Sequence, residues 1–253
     1  MYVLLDVYIY VRLRHLTNYT SVYYLPVLTC MYLVGRSILT MARFARWDEI
    51  TADQLRKACD YMGYPFFTSG DYNLNIFGIR SNDKDSNMFN DVVGLVYKVD
   101  GSWVCKKYEA TTDPGTYWRQ NLMNVNGTAI IKPGFYKSVW HVGMHKGQYK
   151  ALTQVNNFTV WRDNNRDSKL DFGRKEETGV FGCNLHRATP NAGQKSTYVD
   201  KWSAGCQVIA ANNDFRELMS IVDKAAKLYG STFSYKLFTE ANFFCESKSV
   251  YPV

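Results

Sequence analysis

The sequence has few histidines and few prolines, and its cysteines show no metal-binding or redox spacing. Four histidines and six prolines occur in 253 residues. The six cysteines include no CxxC pair, which argues against a zinc ribbon or a thioredoxin-type site. No HExxH motif is present, so a zinc-protease helix is excluded. Internal repeats and low-complexity segments are also lacking, which excludes a repeat architecture.

A long hydrophobic run is missing as well. No charged side chain occurs from Tyr19 to Gly35, a run at the short end of a membrane span, and Pro26 interrupts it. Asp6 breaks the first apolar run, which argues against a cleavable signal peptide. Residues 1–40 therefore have three interpretations: a membrane anchor, an apolar element packed on the body, or an upstream extension before a start at Met41. Membrane contact is expected only under the first.

The overall composition is typical of a folded chain, and the chain has a small excess of basic residues. Hydrophobic residues make up 46% and charged residues 21%, which supports a core and argues against disorder. The net charge of +7 suits an anionic partner such as a cell-wall polymer, and it is equally compatible with plain solubility. We expect no nucleic-acid partner and leave the oligomeric state open.

Local patterns predict a mainly β protein, a β-sandwich or partly closed barrel with a few flanking helices. Helical spacing over Asp48–Gly63 follows a capping box of Thr51 with Gln54 and stops at Gly63. From Asp91 onward, short alternating runs are separated by turn signals, the clearest at Asp100-Gly101. One more helix is predicted over Asp214–Tyr229, capped by Asp214. The predicted segments are 1–40, 41–90 (a helix and polar loop packed on the body), 91–239 (the main domain) and 240–253 (a tail).

A candidate Cys–His site lies between Phe181 and Ala210. His186 is followed, after sixteen residues, by Ser203-Ala204-Gly205-Cys206. A cysteine is a strong nucleophile only as the thiolate, so it needs a base such as His186. Small residues before Cys206 allow close backbone approach to a substrate carbonyl, and amides near Gly205 and Cys206 are candidate oxyanion donors. This pattern predicts acyl transfer.

These residues resemble the signature of the L,D-transpeptidase catalytic domains (YkuD-like): a histidine, a gap of similar length, then Ser/Thr, a variable residue, Gly and Cys. The Asp100-Gly101 hairpin looks like the family's opening hairpin. The Gly127–Tyr136 stretch is similar to its Thr-Pro-x-Gly-x-(Phe/Tyr) turn, and Phe181–His186 to the strand that delivers its histidine. Gly230-Ser231-Thr232 resembles the start of its closing strand. The resemblance covers roughly residues 91 to 238.

The resemblance implies a thioester on Cys206 formed from peptidoglycan stem peptides, with hydrolysis or cross-linking as the outcome. His186 would be the base, Gly205 part of the oxyanion site, and Ser203 the group that orients the imidazole. No cofactor is required. The protein would act at the cell wall or periplasm, or be delivered by a phage as a lysin.

The sequence leaves the family pattern at the substrate side of this site. The family usually has Gly where Arg187 stands, often His at Ala204, and commonly Arg or Asn at Val208. Arg187 and Gln207 are the substrate-binding candidates. Two rival interpretations stay open: an inactive wall-binding or virion structural module on the same fold, and an unrelated cysteine peptidase with Asp or Asn as third member.

Two further motifs carry weaker metal-binding patterns. His141 and His145 form HVGMH, but Gly143 and the β context argue against a zinc-binding helix. Asp163, Asn165 and Asp167 resemble the start of a calcium loop, although Ser168 stands where such loops have glycine. A solvated Asn/Asp turn is the favoured interpretation of that segment.

Overall fold

A computed structural model describes residues 46–84, 87–167 and 169–245. Contacts divide the chain into Met1–Trp47 and Asp48–Val253, and everything below concerns the second unit. The predictions for residues 1–40, and most of the predicted tail, lie outside the described residues. Within the described ranges no helix is long and apolar enough to cross a membrane.

Eleven strands and four helices make up the described unit. The strands are β1 (Asn75–Arg80), β2 (Asp91–Val99), β3 (Ser102–Thr111), β4 (Thr128–Ile131), β5 (Gly134–His145), β6 (Tyr149–Gln154), β7 (Phe158–Asp163), β8 (Glu176–Gly179), β9 (Leu185–Arg187), β10 (Gln207–Ile209) and β11 (Thr232–Thr239). The helices are α1 (Ala52–Met62), α2 (Thr116–Gln120), α3 (Asn212–Tyr229) and α4 (Glu240–Phe243).

Eight of these strands form a closed barrel in the order β1-β11-β5-β6-β9-β10-β3-β2. The other three form a separate sheet in the order β4-β7-β8. The prediction of a mainly β protein with few helices is confirmed, and the barrel is closed rather than partly open. Strand β1 comes from the segment expected to lie beside the body, yet it pairs with β2 on one side and with β11 on the other.

Two-residue turns with left-handed backbone close the two long hairpins. Asp100 and Gly101, between β2 and β3, have φ of 49° and 76°. Lys146 and Gly147, between β5 and β6, have φ of 50° and 70°. Both pairs give the twist that suits adjacent antiparallel strands. The Pro133-Gly134 turn is different, because it leads from β4 in the three-stranded sheet to β5 in the barrel.

The two longer helices begin for different local reasons. The Thr51 Oγ1 accepts a hydrogen bond from Gln54 N at 3.1 Å, and Gly63 ends α1 in the left-handed region. Only half of the predicted capping box forms, because the Gln54 side chain donates to the Phe243 carbonyl instead. The N-cap of helix α3 is Ala211, three residues before the predicted Asp214. Asp214 lies inside the first turn, where its charge suits the helix dipole.

The barrel core is apolar and large, and it supports the short strands β9 and β10 from inside. Trp140, Leu152, Leu185 and Ile209 are completely buried within one cluster. Helix α3 adds its apolar stripe to that cluster through Phe215, Leu218, Met219, Val222 and Ala225. The stripe has the predicted helical spacing. Leu185 of β9 and Ile209 of β10 belong to this same cluster, whereas Val208 of β10 packs in a second cluster with Ala188 and Val199.

Candidate active site

Two short parallel strands bring His186 and Cys206 to the same part of the barrel. His186 is the middle residue of β9, and Cys206 directly precedes β10. Val208 is the Cα partner of His186 in the ladder, and Gln207 N donates to the Asn184 carbonyl at 2.8 Å. Residues twenty apart in sequence therefore become neighbours through strand pairing.

Both side chains line one cavity of about 670 Å³. Its wall comes from α2, the start of β4, the β5–β6 turn, the Val180–Asn184 segment and the Lys201–Cys206 turn. Trp118, Phe181 and Trp202 give the cavity an apolar side, while Lys146 and Lys201 give it charge. This volume falls within the range of small-molecule sites, about 300–1,000 Å³.

His186 is held as a neutral imidazole with one defined tautomer. The ring is buried, and its Nδ1 lies 2.9 Å from the Arg187 carbonyl oxygen. A carbonyl only accepts, so Nδ1 carries the proton and Nε2 has a lone pair. Burial lowers the pKa of His186 to about 3. The side chain is therefore a neutral base near pH 7.

Cys206 is half-buried and held by main-chain groups. Its Sγ accepts from Asn184 N and donates to the Gly182 carbonyl, each at 3.4 Å. Burial raises the pKa of the Cys206 thiol to about 11, and the Asn184 N–H opposes that rise. Among the described residues, no hydrogen bond joins Sγ to the His186 ring. The resting pair is consequently a thiol and a neutral imidazole, not an ion pair.

Ser203 lies beside Cys206 but does not orient the imidazole. Its Oγ donates to the Cys206 carbonyl at 2.8 Å and accepts from Gly205 N at 3.1 Å. Its carbonyl accepts from Gly115 N at 2.9 Å. The role expected for Ser203 is therefore filled by the Arg187 main-chain carbonyl. Ser203 instead shapes the turn that carries Cys206.

The turn before Cys206 requires glycine and leaves one amide for a substrate. Gly205 has φ of +124°, and a Cβ there would lie 2.7 Å from the Ala129 carbonyl oxygen. Because the Gly205 N–H is bonded to Ser203, it is not available as an oxyanion donor. The Cys206 N–H makes no hydrogen bond to any described residue and is the remaining candidate donor.

Comparison with known proteins does not assign a family to this chain. No family model, curated protein or solved structure matches it. The resemblance to L,D-transpeptidases therefore rests on the residues quoted from the sequence.

The two substrate-binding candidates lie away from the cavity. Gln207 is fully buried, where its Oε1 accepts from the Tyr235 hydroxyl at 2.7 Å and its Nε2 donates to the Thr112 carbonyl. It therefore supports the barrel interior and does not reach a substrate. The Arg187 guanidinium lies 4.2 Å from the centre of the Tyr149 ring and lines a different cavity.

Two further residues line the site, His145 and Asn184, and neither was among the predicted catalytic or substrate-binding residues. The His145 ring stacks on His186, with centroids 4.1 Å apart. The Asn184 Oδ1 accepts from Gln154 N at 2.8 Å, so its Nδ2 donates to His145 Nδ1 at 3.0 Å. His145 is thereby held with its proton on Nε2, and burial lowers its pKa to about 4. The HVGMH motif was a usable signal for His145, whereas Asn184 carried none.

The hydrogen bonds of His186 also bear on the peptidase interpretation. A third member would be an Asp or Asn side chain bonded to the imidazole. The partner at Nδ1 is instead a main-chain oxygen, with the Tyr149 hydroxyl at 3.4 Å. Asn184 bonds to His145 rather than to His186. Within the described ranges, His186 therefore has no Asp or Asn side chain as the third member of a peptidase triad.

The predicted calcium ligands differ in burial, and two of them bond to each other. Asp163 is buried at the end of β7, whereas Asn165 and Asp167 are exposed and hydrogen-bonded to each other. In the described ranges, no group of three or more His, Cys, Asp or Glu side chains is arranged to hold a metal ion. The Asx-type bonds within the loop are those of a polar turn. His141 and His145 lie on strand β5, as the β pattern predicted.

Proposed function

We propose that the protein is a cysteine-dependent acyltransferase of the L,D-transpeptidase type that acts on peptidoglycan stem peptides. The observation that carries the proposal is that Cys206 and a neutral His186 with a free Nε2 lone pair line one cavity. Such a pair can deprotonate and use a thiol as nucleophile. The sequence resemblance supplies the substrate class.

In the proposed reaction, the His186 Nε2 takes the thiol proton while Sγ attacks the carbonyl carbon of a stem peptide. The negative oxygen of the tetrahedral intermediate accepts from the Cys206 N–H. The imidazolium then protonates the leaving amine, the C–N bond breaks and a thioester remains on Cys206. An incoming amine or water, deprotonated by His186, attacks the thioester, and Sγ leaves as the thiol. Amine gives a cross-link and water gives hydrolysis.

The charge of the cavity supports an acidic substrate. Lys146, Lys201 and Arg162 are its cationic lining residues, and no Asp or Glu occurs among the described residues that line it. Arg162 is already paired with Glu177, its Nε 2.7 Å from a carboxylate oxygen. Lys146 and Lys201 are therefore the cations that suit the free carboxylates of a stem peptide.

The proposal is tested by incubating the full chain with purified muropeptides and analysing the products by mass spectrometry. New cross-links indicate transpeptidation, and loss of cross-links or terminal residues indicates hydrolysis. Cys206→Ser and His186→Gln should abolish either product. Cys105→Ser is the matched control, because this half-buried thiol lies on β3 outside the cavity. Unchanged muropeptides with the unmodified protein would contradict the proposal.

One observation favours an inactive wall-binding module as the second candidate. The Cys206 Sγ bonds to the Gly182 carbonyl and the Asn184 amide rather than to the imidazole. Labelling with a carbapenem separates the two candidates. Acylation of Cys206 that disappears in His186→Gln supports the enzyme. A folded protein that is never acylated, yet sediments with wall fragments, supports the binding module.

A further inference from the structure

A second cavity, of about 640 Å³, runs along α3 beside the active site. It is bounded by one face of the helix, by the start of β6 and by the segment after β9. The lining positions on α3 extend from Asn212 to Lys227, which is about 22 Å of helix. The cavity is therefore an elongated groove rather than a compact pocket.

The groove carries an excess of positive charge. Its cationic residues are Lys150, Arg187, Arg216, Lys224 and Lys227, and Asp223 is the one acidic residue among the described lining. Lys150 already pairs with Asp223, at 3.0 Å. The other four have no carboxylate partner among the described residues. Like charges along one groove repel each other, and a bound anion would relieve that repulsion.

One of these cations is already held in place. The Arg187 guanidinium packs on the Tyr149 ring, and its Nη1 donates to the Pro190 carbonyl at 3.4 Å. A planar fork held on an aromatic ring suits a phosphate or carboxylate. Because Arg187 covers Tyr149 and Phe215 is buried, neither aromatic lining residue offers a free face for base stacking.

We propose that this groove binds a linear polyol-phosphate polymer of the cell wall. The elongated shape and the four cations without a carboxylate partner match a ligand with repeated negative charges and no aromatic bases. The choice of a wall polymer rests on the proposed function. Arg187 connects the two sites, since its carbonyl orients the catalytic imidazole while its guanidinium lines the groove.

The test measures binding of fluorescently labelled poly(glycerol phosphate) to the full chain by anisotropy. Arg216→Glu/Lys227→Glu should weaken binding at least about tenfold. A plot of the logarithm of the binding constant against the logarithm of the salt concentration should become less steep by about 1.4, which is about 0.7 for each of two lost phosphate contacts. Lys57→Glu/Lys137→Glu is the matched control, because both lysines are exposed on α1 and β5, and it makes the same charge change outside the groove. The control should stay within about twofold of the unmodified protein.

Three results would overturn the groove proposal: no binding, equal loss in both double variants, or tighter binding of a single-stranded oligonucleotide. Carbapenem acylation of Cys206 is measured in the same samples. Neither Arg216 nor Lys227 lines the cavity that holds Cys206 and His186, so acylation should be unchanged in Arg216→Glu/Lys227→Glu. Failed polymer binding with intact acylation rejects the groove alone, whereas failed acylation with intact polymer binding rejects the enzyme alone.

Discussion

One main-chain oxygen decides the chemistry available to His186. The Arg187 carbonyl takes the proton on Nδ1, and burial keeps the ring uncharged. The stacked His145 is held in the opposite tautomer by Asn184. Of the two rings, only His186 therefore presents a lone pair at Nε2. A general base near neutral pH needs both the lone pair and the neutral form.

The thiol of Cys206 should react slowly at neutral pH. Its pKa is raised to about 11 by burial, so the thiolate fraction rises roughly tenfold per pH unit below that value. Alkylation by iodoacetamide, followed by mass spectrometry of the Cys206 peptide, should increase throughout about pH 6 to 10 without a plateau. In Cys206→Ser, any alkylation that remains comes from the other free cysteines. A plateau at or below neutral pH would show a preformed thiolate–imidazolium pair.

At the scale of elements, β1 is a fully buried strand with a neighbour on each side. All six of its residues are buried, and it pairs with β2 and β11 along its length. Gly78 lies under the Tyr235 hydroxyl, whose hydrogen bond to Gln207 links β11 to β10. Strand β1 therefore completes the barrel and also contacts the tyrosine that holds β10, the strand directly after Cys206.

Gly78→Ala should destabilise the protein by about 1–3 kcal/mol, the usual range for overpacking. A Cβ at this position would lie 1.9 Å from the Tyr235 hydroxyl oxygen, so the ring or the strand must move. Urea unfolding measures the change. Gly134→Ala on β5 is the control, because its Cβ would meet nothing closer than 3.4 Å. Equal stability of the two variants would contradict this account of Gly78.

Strand β11 also carries a buried cation, Lys236. Its Nζ donates to Asn75 Oδ1 at 3.1 Å and lies 4.5 Å from the centre of the Phe67 ring. Burial lowers the pKa of Lys236 from 10.5 to about 8. Between these values the unfolded chain binds more protons than the folded chain, so this group makes stability rise as the pH rises through that window.

Lys236→Met should remove the increase in unfolding free energy between about pH 8 and pH 10.5. Near pH 7 the variant should be as stable as the unmodified protein, or more stable. Asn75 Oδ1 keeps its hydrogen bond from Phe67 N at 2.8 Å, so the substitution leaves no acceptor unsatisfied there. Denaturant unfolding at several values between about pH 7 and pH 10.5 measures both effects. Lys137→Met, an exposed site on β5, should keep the rise. Parallel curves for Lys236→Met and the unmodified protein would contradict the assignment.

At the scale of the whole molecule, one arginine ties the barrel to the three-stranded sheet. Arg80, at the end of β1, is fully buried and donates to the Thr112 carbonyl at 2.9 Å and to the Ile131 carbonyl of β4 at 2.8 Å. Its Nε lies 2.7 Å from Asp113. Asp91 is buried nearby and accepts from Thr112 N. Arg80 opposes the rise in the pKa of both buried carboxyls, and Arg119 also acts on Asp113.

Arg80→Met should lower the free energy of unfolding near pH 7 by about 3–5 kcal/mol, because it removes the cation that acts on both buried carboxyls. Burial already raises the pKa of Asp91 and Asp113 above 3.8, against the opposing effect of Arg80. The folded state then binds protons that the unfolded state lacks, so these groups favour folding at lower pH and that contribution falls as the pH rises.

The same experiment therefore has a pH signature. Lowering the pH from 7 to about 5 should recover more stability in Arg80→Met than in the unmodified protein. Arg56→Met is the control, since its ion pair with Asp53 is exposed and is worth at most about 1 kcal/mol. A loss in Arg80→Met that is small, or that grows on acidification, would contradict the proposed charge balance.

Local chemistry made several features predictable from sequence. The Asp100-Gly101 hairpin needs two residues that adopt left-handed backbone, and the start of α1 needs a side-chain acceptor at Thr51. Both depend on a few adjacent residues, and both are present. The N-cap of α3 was misplaced, because Ala211 supplies no side-chain bond that a sequence pattern would reveal.

The contacts that complete the fold and the site were not predictable in the same way. Closure of the barrel pairs Ile76 with Tyr235, and the stack of His145 on His186 depends on how β5, β6 and β9 lie together. The burial of Gln207 follows from the direction its side chain takes at the start of β10. Each of these contacts depends on pairing between segments that are distant in sequence. The local spacing of residues does not predict that pairing.

The sequence by itself determined that the chain is mainly β and that Cys206 and His186 are its candidate nucleophile and base, because residue type and short-range spacing carry that information. Only the tertiary structure decided that the Arg187 carbonyl, not Ser203, orients the imidazole, and that the guanidinium of Arg187 lines a separate groove. Main-chain acceptors and side-chain directions come from strand pairing and burial. They are properties of the folded barrel rather than of any local run of residues.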